Sequence, residues 1–138
     1  MAHIYRLRLG SKAAHIDECF REGFVGVDYS MHQDFSPYLP DEWREFNHHY
    51  IPIWQASHPD KSKIAAGLAC GALWTVARGM ALGDILLCPD GNGRYLVAEI
   101  TGGYSYHPDG VLPHRRPVRW LQQSVNRDDM SPALQNSV

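Results

Sequence analysis

Alternation opens this chain. Over residues 3–9, Ile4, Arg6 and Arg8 fall on one side and His3, Tyr5, Leu7 and Leu9 on the other, the period of two that a strand requires. Gly10-Ser11 then starts a helix with Ser11 as N-cap. Ile16, Cys19 and Phe20 form its apolar stripe, and Gly23 stands where a left-handed C-terminal residue is wanted. Phe24-Val25-Gly26-Val27-Asp28 reads as a short buried strand, so the chain begins strand–helix–strand.

Periodicity fades over residues 29–60. Pro37, Pro40, Pro52 and Pro59 punctuate the stretch and leave room for one short helix, about residues 41–47. Seven of the fifteen aromatic residues nevertheless lie here: Tyr29, Phe35, Tyr38, Trp43, Phe46, Tyr50 and Trp54. Long loops in compact domains are functional or disordered, and so many rings argue against disorder.

Regular signals return with a helix over residues 62–78, capped by Asp60 or Ser62. Ala65, Leu68, Ala69, Ala72, Leu73 and Val76 recur at three and four, while Gly67 and Gly71 permit close packing. Gly83-Asp84 turns the chain into a strand over 85–88. Asp90-Gly91-Asn92-Gly93 predicts a hairpin with its return strand at 94–101. Gly102-Gly103 breaks that strand, residues 104–106 extend again, and the last strand spans 114–121, with Pro117 marking an edge or a start. Together these elements predict an α+β domain, a small mixed barrel or curled sheet over residues 1–121. Residues 122–138 are polar and read as a linker.

Composition narrows the function. At 138 residues and 44% apolar, the chain suits one globular domain. Thirteen basic residues against fifteen acidic ones exclude a polycation that holds nucleic acid by charge alone. No window is apolar enough to span a membrane, and the first residues lack the apolar core of a signal peptide. Cys19, Cys70 and Cys88 sit in apolar contexts, as buried thiols of a reducing cytoplasm do.

Catalytic constellations are weak. Asp84 and Glu99 have the order of a nuclease acid pair, but Ile100-Thr101 follows Glu99 where a lysine is needed, and an Asp after Gly83 suits a turn. His48, His49, His58, Cys70 and Cys88 lack metal-site spacing, and no nucleophile elbow or phosphate loop occurs, so neither metal, cofactor nor catalytic residue is expected. Aromatic recognition is left, since an unstacked base is held by rings that clamp its faces and polar groups that read its edge. The rings of residues 29–54 and the same-facing Tyr104 and Tyr106 are the candidates. Arg115, Arg116 and Arg119 against the single acid Asp109 make a patch suited to a few phosphates, with Arg94 and Arg78 as neighbours, or else a charged strand edge.

Three runs in order carry a resemblance: Phe24-Val25-Gly26-Val27-Asp28-Tyr29-Ser30 after a strand–helix unit; a helix leading through Met80-Ala81-Leu82-Gly83-Asp84 into a strand; and Gly93-Arg94-Tyr95 through Gly102-Gly103-Tyr104-Ser105-Tyr106. Over about residues 3–121 the chain resembles the EVE-like and YTH-like branch of the PUA superfamily, above all the N-terminal domains of Mrr-type and McrB-type modification-dependent restriction endonucleases. The resemblance implies a PUA-like curled barrel flanked by two or three helices, in a prokaryotic cytoplasm. Such a domain everts a modified base, 5-methylcytosine or 5-hydroxymethylcytosine, from double-stranded DNA into an aromatic cage. Residues 122–138 would lead to a fused or associated nuclease domain, and this chain itself would not be an enzyme. The implied base pocket comprises Asp28, Tyr29, Ser30, Met31, Trp54, Tyr104 and Tyr106. The DNA backbone would meet Lys61, Ser62, Lys63, Arg94, Arg115 and Arg116. The alternatives are a YTH-like reader of modified RNA and a stand-alone hydrolase built on Lys61 or Lys63 with Tyr29 and a histidine.

Overall fold

The computed structural model describes residues 2–126. Strand β1 (Ile4–Arg6) runs through a 3-10 turn (Ser11–Ala13) into α1 (Ile16–Glu22), and β2 (Phe24–Val27) follows. Next come α2 (Trp43–Ser57) and α3 (Lys63–Trp74), which closes in a wide turn (Thr75–Gly79). The chain then continues through β3 (Ile85–Pro89), β4 (Arg94–Ile100), β5 (Ser105–Tyr106) and β6 (His114–Asn126). The domain is α+β, a curled mixed sheet with three helices.

The strand order is β1-β3-β4-β6-β2, with β5 also on β6. Among the described residues only β1 and β3 pair in parallel, Tyr5 opposite Leu86; the other pairs are antiparallel. The length of β6 makes the curl. Its first residues pair with β2 and β5, and from Val118 onward it pairs with β4. Pro117 lies at the hand-over, where its missing N–H costs no ladder bond to β4. A register shift between Leu96 and Ala98 bends the sheet further. Gly26 lets β2 lie close in, because a Cβ there would meet the His114 carbonyl oxygen at 2.7 Å. Gly23 ends α1 at φ 75°, and its N–H bonds the Cys19 carbonyl.

The main core joins residues of the sheet and the helices, with Cys19, Val25, Phe35, Phe46, Leu73, Leu86 and Ile100 deeply buried. All three cysteines are buried free thiols, and burial raises Cys19 to about 12 and Cys70 to about 11, so they are unreactive packing groups. Asp84 faces the interior at the start of β3. Burial alone would raise its pKa, but its carboxylate accepts the Ala81 and His3 N–H groups, and the net direction is downward. It is a turn-fastening residue.

Several boundaries move. Strand β1 covers only Ile4–Arg6 of the expected 3–9, and the first helix starts at Ile16 after the 3-10 turn, with no side-chain cap from Ser11. The expected short helix over 41–47 is α2, fifteen residues long, with Pro52 inside it. Pro52 and His48, whose carbonyl loses its helical partner, are both exposed, so solvent can replace the missing bond. The buried side holds Phe46, Tyr50 and Trp54, and tertiary packing of those rings overrides the local proline signal. At the other end β6 continues to Asn126 rather than stopping at 121, because Gln122, Gln123 and Ser124 are polar residues of a paired but exposed strand. The linker expected beyond it falls mainly on residues 127–138, outside the described residues.

Candidate functional site: a basic cleft beside Tyr29

Two adjoining hollows follow the segment from β1 to the 3-10 turn. One, of about 450 Å³, lies between Leu7, Asp28, Tyr29 and Leu112; the other, of about 390 Å³, between Lys12, Arg94 and Tyr95. Arg6, Arg8 and Ser11 line both, so the two hollows are neighbours and make up a two-part cleft. The size is that of ordinary small-ligand sites, about 300–1,000 Å³. Arg6, Arg8, Lys12 and Arg94 make its wall cationic, and Asp28 is the one carboxylate among the lining residues. Arg6 spans the Tyr95 ring at 5.5 Å, and Arg94 donates to Ser124 Oγ; Arg8 and Lys12 are exposed.

Backbone strain gathers here. The described residues other than glycine with positive φ are Lys12, Ala13, Tyr29, Ser30 and Leu112. Four of them line the cleft and Ser30 adjoins it. A left-handed backbone costs a side-chain-bearing residue roughly 1–2 kcal/mol, and such residues cluster at ligand sites because the surrounding fold must hold them.

The holding groups around Tyr29 can be named. Asp28 Oδ1 accepts the Ser30 N–H at 3.0 Å, and Trp54 Nε1 donates to the Tyr29 carbonyl at 2.9 Å. His114 Nε2 bonds the Met31 carbonyl at 2.6 Å. Tyr104 Oη accepts the Phe35 N–H and lies 2.9 Å from His114 Nδ1. Nε2 faces a carbonyl and so donates; in the neutral imidazole Nδ1 then accepts from the Tyr104 hydroxyl. Burial lowers the pKa of His114, consistent with that state; the bond to Met31 opposes the shift. Tyr29 is thus presented, 46% exposed, on a turn clamped from behind.

Several expected site residues belong to that clamp or to the core. Trp54 is buried against His58 and cannot wall a pocket with Tyr29; it supports the Tyr29 backbone instead. Met31 is buried. Tyr104 stacks on Phe35 and borders a separate hollow, and Tyr106 packs on His114, so neither joins Tyr29 in a cage. Arg116 is buried and held from inside: its Nε donates to the Gly102 carbonyl and its Nη1 to the Val76 and Met80 carbonyls, so it serves the interior and is not part of the Tyr29 cleft. Neighbouring β6 residues point to opposite faces, which sends Arg116 inward and leaves Arg115 half-buried. There Arg115 covers the Phe24 ring at 3.8 Å and donates to the Val111 and Leu112 carbonyls. Lys61 and Lys63 are exposed but line neither hollow, and the Ser62 hydroxyl caps α3 by accepting the Ala65 N–H. Of the expected residues, Asp28 and Tyr29 line the first hollow, with Ser30 next to them in sequence, and Arg94 lines the second.

Arg6, Arg8, Lys12 and Leu112 were not expected as site residues. The signal was present for two of them, since the strand pattern places Arg6 and Arg8 on one face. Leu112 reaches the cleft only through the return of β6.

Comparison with known proteins adds a family. No curated protein and no solved structure matches the chain. The profile described as domain of unknown function (DUF8426) matches residues 5–137, nearly the whole length, and the chain belongs to this family.

Proposed function

We propose that this domain is a nucleic-acid reader that takes one everted base, a modified cytosine of double-stranded DNA, into the Tyr29 end of the cleft. The observation that carries the reading is a hollow beside an exposed ring, adjoining a second hollow lined by arginines, with Arg6 and Arg8 shared by both. Everting a base costs a few kcal/mol, and stacking on one aromatic ring returns about 1–3 kcal/mol. Tyr29 supplies that ring. Asp28, whose Oδ1 is committed to the Ser30 N–H, has Oδ2 to accept a cytosine amino group. Leu7 and Leu112 make an apolar wall on which a 5-methyl group gains about 1 kcal/mol. Arg6, Arg8, Lys12 and Arg94 meet flanking phosphates, which accounts for binding by a chain of net charge −2: the cations are local.

The PUA-like, EVE-type assignment and a role in directing a modification-dependent nuclease rest on the sequence resemblance. They make the chain a specificity module that leaves the strand intact.

The test is a competition-binding panel with duplexes carrying cytosine, 5-methylcytosine or 5-hydroxymethylcytosine, and single-stranded RNA carrying a methylated base. The expected result is tighter binding to one modified duplex, lost in Tyr29→Ala and without strand cleavage when divalent metal is added. Preference for the RNA would transfer the reading to a YTH-like role. Equal binding to all four probes, or binding indifferent to Tyr29, would overturn it.

A further inference from the structure

Helix α3 carries a second apolar face that its own domain does not cover. Between Lys63 and Trp74 only Lys63 is charged. Ala66, Ala69, Cys70 and Leu73 are buried against the domain, yet on the opposite side Ile64 is 78% and Leu68 is 73% exposed. A helix apolar all round is ordinarily buried on every side.

The glycines on that side have no internal explanation. A Cβ on Gly71 would meet nothing within 4 Å, and one on Gly67 would touch only Ile51 at 4.0 Å. Glycine inside a helix is destabilising relative to alanine, so these positions suit close approach of another backbone from outside. Trp43, itself 45% exposed, borders the same strip, and together they outline a shallow groove.

Charge decides the occupant. Trp74 Nε1 donates to the Pro40 carbonyl, which ties the end of α3 to the start of α2. Lys61 and Lys63, with Asp60, therefore stand at one end of the strip. Asp41, Glu42 and Glu45 stand at the other, against Arg44 and an Arg78 paired to Asp41. A strip basic at one end and acidic at the other complements itself under a twofold rotation. Antiparallel helices also set each helix's positive end beside the other's negative end.

We propose that two copies of this chain associate through α3, antiparallel about a twofold axis, with Ile64, Leu68 and the two glycines at the centre. Lys61 and Lys63 of each copy then face Glu42 and Glu45 of the other. No residue of the Tyr29 cleft belongs to α3, so the proposal stands whether or not the domain reads nucleic acid.

Sedimentation velocity on the whole chain, at concentrations up to about 100 μM, tests it. The wild type sediments as a dimer. Leu68→Glu and Gly71→Leu, whose new atoms enter open space and whose folding is checked by circular dichroism, weaken the dimer at least about 100-fold, roughly 3 kcal/mol. Lys61→Glu with Lys63→Glu weakens it too, and adding Glu42→Lys with Glu45→Lys restores it. A monomeric wild type, or a dimer indifferent to folded Leu68→Glu, overturns the proposal. Failure of the charge swap to restore association overturns the antiparallel arrangement.

Discussion

Two ring-bearing regions lie a few residues apart in sequence and differ in every physical respect. Around Phe35, rings close a core: Phe46 and Tyr50 meet it edge-on at 5.1 and 4.9 Å, and His114 stacks on it at 4.4 Å. Every polar tip in that cluster is spent internally. The Tyr50 hydroxyl donates to the Tyr38 carbonyl, Tyr104 bonds His114, and His114 bonds Met31. Tyr29 is half-exposed on a left-handed backbone, and its hydroxyl has no partner among the described residues. Enrichment in aromatics identifies neither region by itself. The lesson is that a ring whose polar end is satisfied and whose backbone is relaxed is structural, whereas an exposed ring held in strain is a site candidate.

That contrast can be broken by substitution. The largest effect is expected from Trp54→Ala, which removes a buried ring and the bond to Tyr29: about 3–5 kcal/mol of stability is lost in urea unfolding. Were the variant stable and only binding impaired, Trp54 would belong to the site and not to its support. Arg116→Met comes next. It leaves three carbonyls without their charged donor and costs on the order of 3 kcal/mol by the same measurement. If it altered only affinity, the division between internal and surface arginines on β6 would fail.

Tyr29→Gly separates the two regions most sharply. Glycine relieves the positive φ while adding freedom to the unfolded chain, so stability should stay within about 1 kcal/mol. Binding to a modified duplex should drop by about 1–3 kcal/mol, roughly 5- to 150-fold, in a titration by fluorescence anisotropy.

Acid probes the other region. His114 has its pKa pressed below the ordinary imidazole value of about 6.5, so its contribution is complete above that value. As pH falls further the unfolded chain takes the proton first, and stability drops by up to about 1.4 kcal/mol per pH unit until the folded imidazole also protonates. His114→Gln should flatten unfolding free energy as pH falls below about 6.5 relative to the wild type; an unchanged slope would remove the neutral relay. The smallest effect belongs to Arg8→Gln, which should weaken binding evenly across sequences and lower the salt slope by about 1.

Local elements were largely legible. A strand within residues 3–9, shorter than expected, the Gly23 stop, the Ser62 cap and the hairpin at Gly91 and Gly93 are present, because each depends on neighbours within a turn or two. The extent of α2 was not, since Pro52 is a valid local signal that the burial of Phe46, Tyr50 and Trp54 outweighs. The site was legible by halves. Asp28 and Tyr29 stood out in the run that follows Gly26-Val27, and Arg94 stood out as a basic residue. The cage walls did not follow, because same-facing Tyr104 and Tyr106 say nothing about which cavity their strand borders.

Along the chain alone one could read the α+β character, the strand–helix–strand opening, the apolar setting of the cysteines and the Asp28-Tyr29 run as a site candidate. Tertiary structure alone decided that Arg116 points inward, that Trp54 and His114 brace the Tyr29 turn, and that Arg6 and Arg8 share a cleft with Lys12 and Arg94. The reason is range. Propensity, capping and turn chemistry act over a few residues and can be read along the chain. Which face of β6 meets the core, and which loop closes over β1, depends on contacts between residues as far apart as Met31 and His114, where burial and unsatisfied backbone groups are settled together.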